Sequence, residues 1–424
     1  MASGSIRSPA AGPARGGLCR LWGLLAVGAL GALAGCGGDG AADIGDTYNS
    51  VVVADFNGDG WPDVAACASG GSVASAGHVA VFLQEAGMNR FLPPTLHAVG
   101  NNPASIAAGD IDGDGRIDLV TANTILATSG EGSSDVSVLL QTGPAAGSFG
   151  MATAYPAPYS PHGVAIGDLN GDGRPDLAVA SYDGVSVLMQ SAAWPGSFLP
   201  YQVIGNVTAA TSITIADLNG DGRPDLAGSF YQGVFIAMQD PSLPGAFPAL
   251  GFLAAGQSPN HVAAADIDGD GRVDLAVANH GAFNVAGSAS ASVILQSVAG
   301  FMAPVNYPTQ YWTQNVAIAD LDGDGRPDVA AANFGTLNSC QALDCDLIGT
   351  GISLLMQRAT APGSLEAAVN LPSANAMSVT WLATADIDRD GLTDLVVAQN
   401  GGLYIRYQDP QHPGTFGAPM RIDR

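Results

Sequence analysis

One nine-residue phrase, Asp-x-(Asp/Asn)-x-Asp-Gly-x-x-Asp, is written seven times, beginning at Asp55, Asp110, Asp168, Asp217, Asp266, Asp320 and Asp386. Recurrence roughly every 50 to 60 residues is the mark of an array of like units, each too small to bury its own apolar face. The phrase also decides where the charge lies. The chain has 424 residues and a net charge of −24, and 25 of its 38 acidic residues fall inside the seven phrases. Carboxylates crowded in this way repel one another unless a cation sits among them. The acidity is therefore that of loops, not of a tail. With only 14 Lys and Arg there is no basic patch for a nucleic acid.

The spacing suits a hard divalent ion. Calcium takes six to eight oxygens, mostly carboxylates and carbonyls. Positions one, three, five and nine supply side chains, and position seven is expected to offer its backbone carbonyl, with its side chain outside. The expected ligand sets are Asp55, Asn57, Asp59, Trp61 and Asp63; Asp110, Asp112, Asp114, Arg116 and Asp118; Asp168, Asn170, Asp172, Arg174 and Asp176; and Asp217, Asn219, Asp221, Arg223 and Asp225. The last three are Asp266, Asp268, Asp270, Arg272 and Asp274; Asp320, Asp322, Asp324, Arg326 and Asp328; and Asp386, Asp388, Asp390, Leu392 and Asp394. Up to seven Ca2+ ions follow. The glycine at position six allows the sharp turn. The pattern is similar to the first half of an EF-hand loop, but its closing acid stands at position nine instead of a glutamate at twelve. Metal-free Asx-turns would use the same residue types. The seventh copy departs once, with Arg389 where the others have glycine.

Around each phrase lie short runs rich in Val, Ile, Leu and Ala, separated by turn residues, which read as strands. In the third unit these are Val164–Asp168, Asp176–Ala180, Val185–Gln190 and a fourth near Phe198 to Ile204. No window sustains a helical period. The third strand ends in Gln in every unit: Gln84, Gln141, Gln190, Gln239, Gln296, Gln357 and Gln408. The fourth is expected to open on Phe91, Phe149, Phe198, Phe247, Phe301, Leu365 or Phe416, with the last running from Phe416 to Ile422. A strand-end hydrogen bond for the Gln and a contact between units for the aromatic ring are the simplest roles. Four antiparallel strands in each of seven units predict an all-β fold, a seven-bladed β-propeller with a calcium loop in each blade.

The loops, their flanking strands and the phrase Phe416-Gly417-Ala418-Pro419 resemble the FG-GAP/VCBS repeats, a family that includes the integrin α-subunit propeller and many exported bacterial proteins. The resemblance covers residues 48–424. It implies structural Ca2+ in the loops and a ligand-binding role for one face.

Residues 1–35 read as an export signal: Arg7, Arg15 and Arg20 precede an apolar run from Leu21 to Ala34, too short to span a bilayer. Leu33-Ala34-Gly35-Cys36 resembles the bacterial lipobox, which implies acylation at Cys36 and a lipid-anchored protein of the outer membrane or cell surface. Residues 36–47 are expected to be a tether. In an oxidising compartment Cys340 and Cys345 are placed for a local disulfide, whereas Cys67 reads as a small buried hydrophobe.

Strand alternation puts the metal loops and the compact third-to-fourth turns on one face. The loops of variable length share the other, and variable loops on a rigid frame are where partners bind. Candidate contacts there are Tyr159, His162, Asn260, His261, Tyr311, Trp312, Asn315 and Trp381. Aromatic and amide groups suit a glycan or a surface protein, although aromatics also fill channel mouths. No His stands at motif spacing from a nucleophile or a free carboxylate. The expectation is a calcium-binding adhesion or binding module without catalysis. A lectin-like propeller and a secreted polysaccharide hydrolase or lyase are the alternatives.

Overall fold

The computed structural model describes residues 47–69, 76–124, 134–143, 147–282, 285, 287–337 and 347–424. They form seven four-stranded antiparallel sheets arranged as blades. Blade three shows the plan. Its innermost strand, Pro161–Gly167, leads into the acidic loop. Asp176–Ser181 leaves that loop, Gly184–Leu188 follows a tight turn, and Gln202–Gly205 forms the outer edge. Among the described residues no helix is long and apolar enough to cross a membrane.

The core lies between blades. Each second strand packs a neighbour on both faces, and so strands such as Asp118–Asn123, Asp176–Ser181 and Asp274–Asn279 are buried at every position. This explains why their middle residues are mostly apolar without alternation, since a strand covered on both sides loses the alternation of a half-exposed one. Cys67 belongs to such a strand and is fully buried, as its sequence context predicts; burial pushes its thiol up to about 12.

Ring closure is by packing. Blade one carries its own outer strand, Thr95–Asn101, and blade seven carries Met420–Arg421. Between them Tyr48, Val51, Ala66 and Phe82 meet Ile387, Val396, Leu403 and Ile405 in one cluster. Thr380 Oγ1 donates to the Tyr48 carbonyl at 2.7 Å across that seam.

Two expectations are corrected. The Phe or Leu after the third strand does not open the outer strand. In six blades it pairs with the Gln in a short bridge, as in Gln190 with Phe198, and the outer strand begins several residues later. In blade seven only Met420–Arg421 of the expected Phe416 to Ile422 is strand. The bridge turns the ring toward the preceding blade: Phe198 packs with Ile111 and Val120 of blade two.

Six innermost strands shift register one or two residues from their start, for example between Pro161 and Gly163. Such a bulge re-aims a side chain. Blade four differs. Its innermost strand is Thr214–Ala216, and the Ser212 carbonyl oxygen lies 2.2 Å from where a Cβ at Gly228 would be. Every other blade has a side chain at that position, so Gly228 permits the inward course of blade four.

Candidate functional site

Each acidic loop is organised by its own backbone. In the second, Asp110 Oδ1 accepts the Gly113 and Asp114 amides at 2.9 and 3.1 Å, and its Oδ2 accepts Gly115 at 2.9 Å. Gly115 has φ +86°, a left-handed value that glycine takes without strain. The position-nine carboxylate is the pivot. Asp118 is fully buried, and its two oxygens accept the Ile111 amide at 2.8 Å and the Gln141 amide at 2.7 Å. The same pair of bonds recurs at Asp63, Asp176, Asp225, Asp274, Asp328 and Asp394.

The Gln that follows has a second task. Its Nε2 donates to the carbonyl of position two in the preceding blade's loop: Gln84 to Ile387, Gln141 to Phe56, Gln190 to Ile111, Gln239 to Leu169, Gln296 to Leu218 and Gln357 to Ile267. Gln408 instead donates to Thr393 of its own blade. In six blades the strand-end Gln thus fastens the preceding loop to its neighbour.

In four loops the carboxylate oxygens of positions one, three and nine lie within 4.8 Å of one another: Asp110, Asp112 and Asp118; Asp266, Asp268 and Asp274; Asp320, Asp322 and Asp328; Asp386, Asp388 and Asp394. The other three loops have Asn57, Asn170 or Asn219 at position three and so bring one carboxylate fewer. Burial, reinforced by neighbouring carboxylates, pushes Asp63 up to about 7 and Asp118, Asp176, Asp328 and Asp394 up to about 6. Asp112, Asp268, Asp322 and Asp388 are raised for the same two reasons. An all-oxygen set of converging, mutually unfavourable carboxylates fits a hard divalent cation. Such an ion would favour their charged forms and tie the two strands of the loop together.

Position five behaves otherwise than expected. Asp114, Asp270 and Asp324 stand outside the converged sets of their loops, and Asp172 and Asp221 hold the same position in loops three and four. Each is ion-paired with the position-seven arginine of its own loop, so that Arg116, Arg174, Arg223, Arg272 and Arg326 fold back instead of lying outside. At the seam Arg389 takes φ +61° in place of glycine, and its guanidinium lies 5.2 Å from the centre of the Trp61 ring in blade one. Sequence alone marks Arg389 as a departure; the contact that uses it crosses from last blade to first.

The candidate ligand residues divide into three groups. His162, His261 and Trp381 line one cavity of about 80 Å3, together with Ser105, Thr211 and Ser212, at the starts of the innermost strands. His261 and Trp381 meet edge to face at 4.8 Å. Burial lowers the His261 imidazole to about 4 and also lowers His162, whose Nδ1 lies 2.8 Å from the Ser160 carbonyl. A second group joins blades five and six. Asn260 donates to the Gln314 carbonyl at 2.7 Å, His280 contacts Gln314 Oε1 at 3.1 Å, and Trp312 stacks between His280 and Phe334. Tyr311 packs beside Gly349. Asn315 is committed to structure, its Oδ1 accepting the Leu382 amide at 3.2 Å. Tyr159 is 44% exposed and meets Tyr182 edge to face. Cys36, Cys340 and Cys345 lie outside the described residues.

One feature of this face escapes the sequence. Phe230, Gln232, Phe252, Leu253 and Ala254 line a shallow groove of about 340 Å3 at the rim of blade four. Phe252 is 60% exposed and 5.5 Å from Phe230. The Tyr231-Gln232-Gly233 turn marks the place in the sequence, but the outer-strand phenylalanine gives no signal of its own.

A model of the FG-GAP-like repeat matches residues 55–121, 124–179 and 168–228, and one of the FG-GAP repeat matches 258–295. No curated protein matches the chain significantly. Among solved structures, a lectin from Agrocybe aegerita studied for recognition of non-reducing terminal N-acetylglucosamine superposes with TM-score 0.52 and 15% identity, over 88% of this chain and 93% of that one. BBS1N, solved in complex with ARL6DN, gives TM-score 0.52 and 12% identity over 88% of this chain and 96% of that one. At such identities the likeness is one of fold.

Proposed function

Because the chain belongs to the FG-GAP-repeat β-propellers, we propose that it is a calcium-stabilised binding module. Its partner would sit on the face opposite the acidic loops, and no reaction would be catalysed. The observation that carries this reading is the division of labour between faces. On one, the acidic residues and Gln are committed to holding loops and neighbouring blades. On the other, His162, His261 and Trp381 gather at a polar cavity, and Phe252 lines a groove at the rim of blade four. Calcium acts as a structural cross-link held by positions one, three and nine, with position five joining when its arginine releases it. Export and lipid anchoring through Cys36 would place the ring at a bacterial envelope, where calcium is plentiful enough for open sites.

A glycan is the partner class most in keeping with the residues. Aromatic rings beside amide and imidazole groups present both a stacking surface and hydrogen bonds. The fold likeness to a sugar-binding lectin is in keeping with this choice. A glycan array on the calcium-loaded chain, run beside a polysaccharide turnover screen, tests it. Binding without turnover is the expected result. Turnover would favour a hydrolase or lyase, and binding of envelope protein in place of sugar would favour adhesion.

A further inference from the structure

Five loops have an arginine at position seven and two do not; the cation of loop seven, Arg389, stands at position four and lies over Trp61 of loop one. Arg116, Arg174, Arg223, Arg272 and Arg326 each pair with the position-five aspartate of the same loop. The other oxygen of that aspartate accepts the arginine's own amide, at 2.9 to 3.0 Å. Both oxygens are thus engaged by the arginine of the same loop. The corresponding residues at the seam are Trp61 and Leu392. There Asp390 accepts the Leu392 amide at 2.9 Å, and Asp59 accepts the Trp61 amide at 2.8 Å and the Asn57 side chain at 3.1 Å, with no position-seven guanidinium in either loop.

We propose that the position-seven arginine is a built-in competitor that sets each loop's affinity for calcium. It neutralises the position-five carboxylate until an ion takes that oxygen, so a loop with arginine fills at higher calcium than the same loop without it. The inference rests on the calcium reading above and names the residue that tunes it. Two effects act in the same direction. Binding must break an ion pair, and it must bring a doubly charged ion toward the released guanidinium. The arginines are partly exposed, and an exposed pair of this kind corresponds to about a 1.5- to 5-fold change in binding.

Loops six and seven both have aspartate at positions one, three, five and nine, and each exchange is read against its own parent loop because position four is Gly323 in one and Arg389 in the other. Arg326→Leu gives loop six the residue of loop seven, and Leu392→Arg does the reverse. Calcium titration calorimetry on the full chain, with direct metal analysis, should show one equivalent moving to lower calcium in Arg326→Leu and one moving to higher calcium in Leu392→Arg. Stoichiometry should not change. Replacing all five arginines by Leu should move the bulk of the isotherm by the same factor. Melting curves in excess calcium verify that each variant is folded, and the single exchanges stand if the fivefold variant fails to fold. Titrations of folded variants that overlay the parent's, or shift in the opposite sense, overturn the proposal. A parent chain that takes up no calcium sinks the calcium reading and this inference together, whereas a calcium-binding parent with unmoved variants sinks this inference alone.

Discussion

The two faces of the ring follow different rules. On the acidic-loop face, seven loops repeat the same bonds: position nine takes two amides, and six Gln side chains reach back to the preceding blade. On the opposite face the register shift is common to six blades, but the residues it carries are not. Asn49 donates to the Pro103 carbonyl, Asn260 reaches Gln314, and His162 lines the cavity. A position that holds the fold is repeated, whereas one that only faces the channel is free to differ. The contrast predicts where a substitution costs stability and where it costs binding.

Chelation should have the largest effect, because it removes every ion that binds the native ring alone. A chelator should lower the melting temperature steeply, and calcium should restore it; an unmoved melting curve would break the contrast at its root. The pH response sharpens this test. In the metal-free ring the position-nine carboxyls hold their protons more firmly than the unfolded chain does: burial raises all seven, Asp63 to about 7 and Asp118, Asp176, Asp328 and Asp394 to about 6. The native state therefore binds more protons between pH 3.8 and about 7, and metal-free stability should fall as pH rises through that window. Calcium favours the ionised form, so the loaded ring should lose this trend or reverse it. Melting against pH, with and without chelator, measures both.

Next in size is Asp176→Ala, which orphans the buried Leu169 and Gln190 amides and should cost about 3 kcal/mol in denaturant unfolding. Gln190→Ala should cost about 1 to 2 kcal/mol through its bond to blade two. Gln408→Ala should cost less, since that side chain stays within its own blade. Equal losses for the two would show that the link between blades contributes little. At the small end, Tyr159→Ala on the opposite face should change stability by less than about 0.5 kcal/mol while weakening partner capture on the array.

The period, the strands and the loop residues were legible in the sequence because they arise within one unit. The nonamer fixes its own turn, and the apolar runs beside it can only be strands. What could not be read arises between units or from the direction a side chain takes. Phe198 looks like the start of a strand, but it forms a bridge that aims its ring at blade two. Asn315 looks like a contact residue, but it accepts a main-chain amide from blade seven. Arg326 reads as a carbonyl donor with its side chain outside, but that side chain folds back onto Asp324.

Each blade draws its four strands from one consecutive stretch of chain, and among the described residues the first and last blades meet through side chains and a few hydrogen bonds, with no strand exchanged between them. Such a circle has no privileged starting point. A gene reopened between any two neighbouring blades, with a short linker across the present seam, should still encode the same ring, and whole units could be exchanged like beads without rethreading the rest.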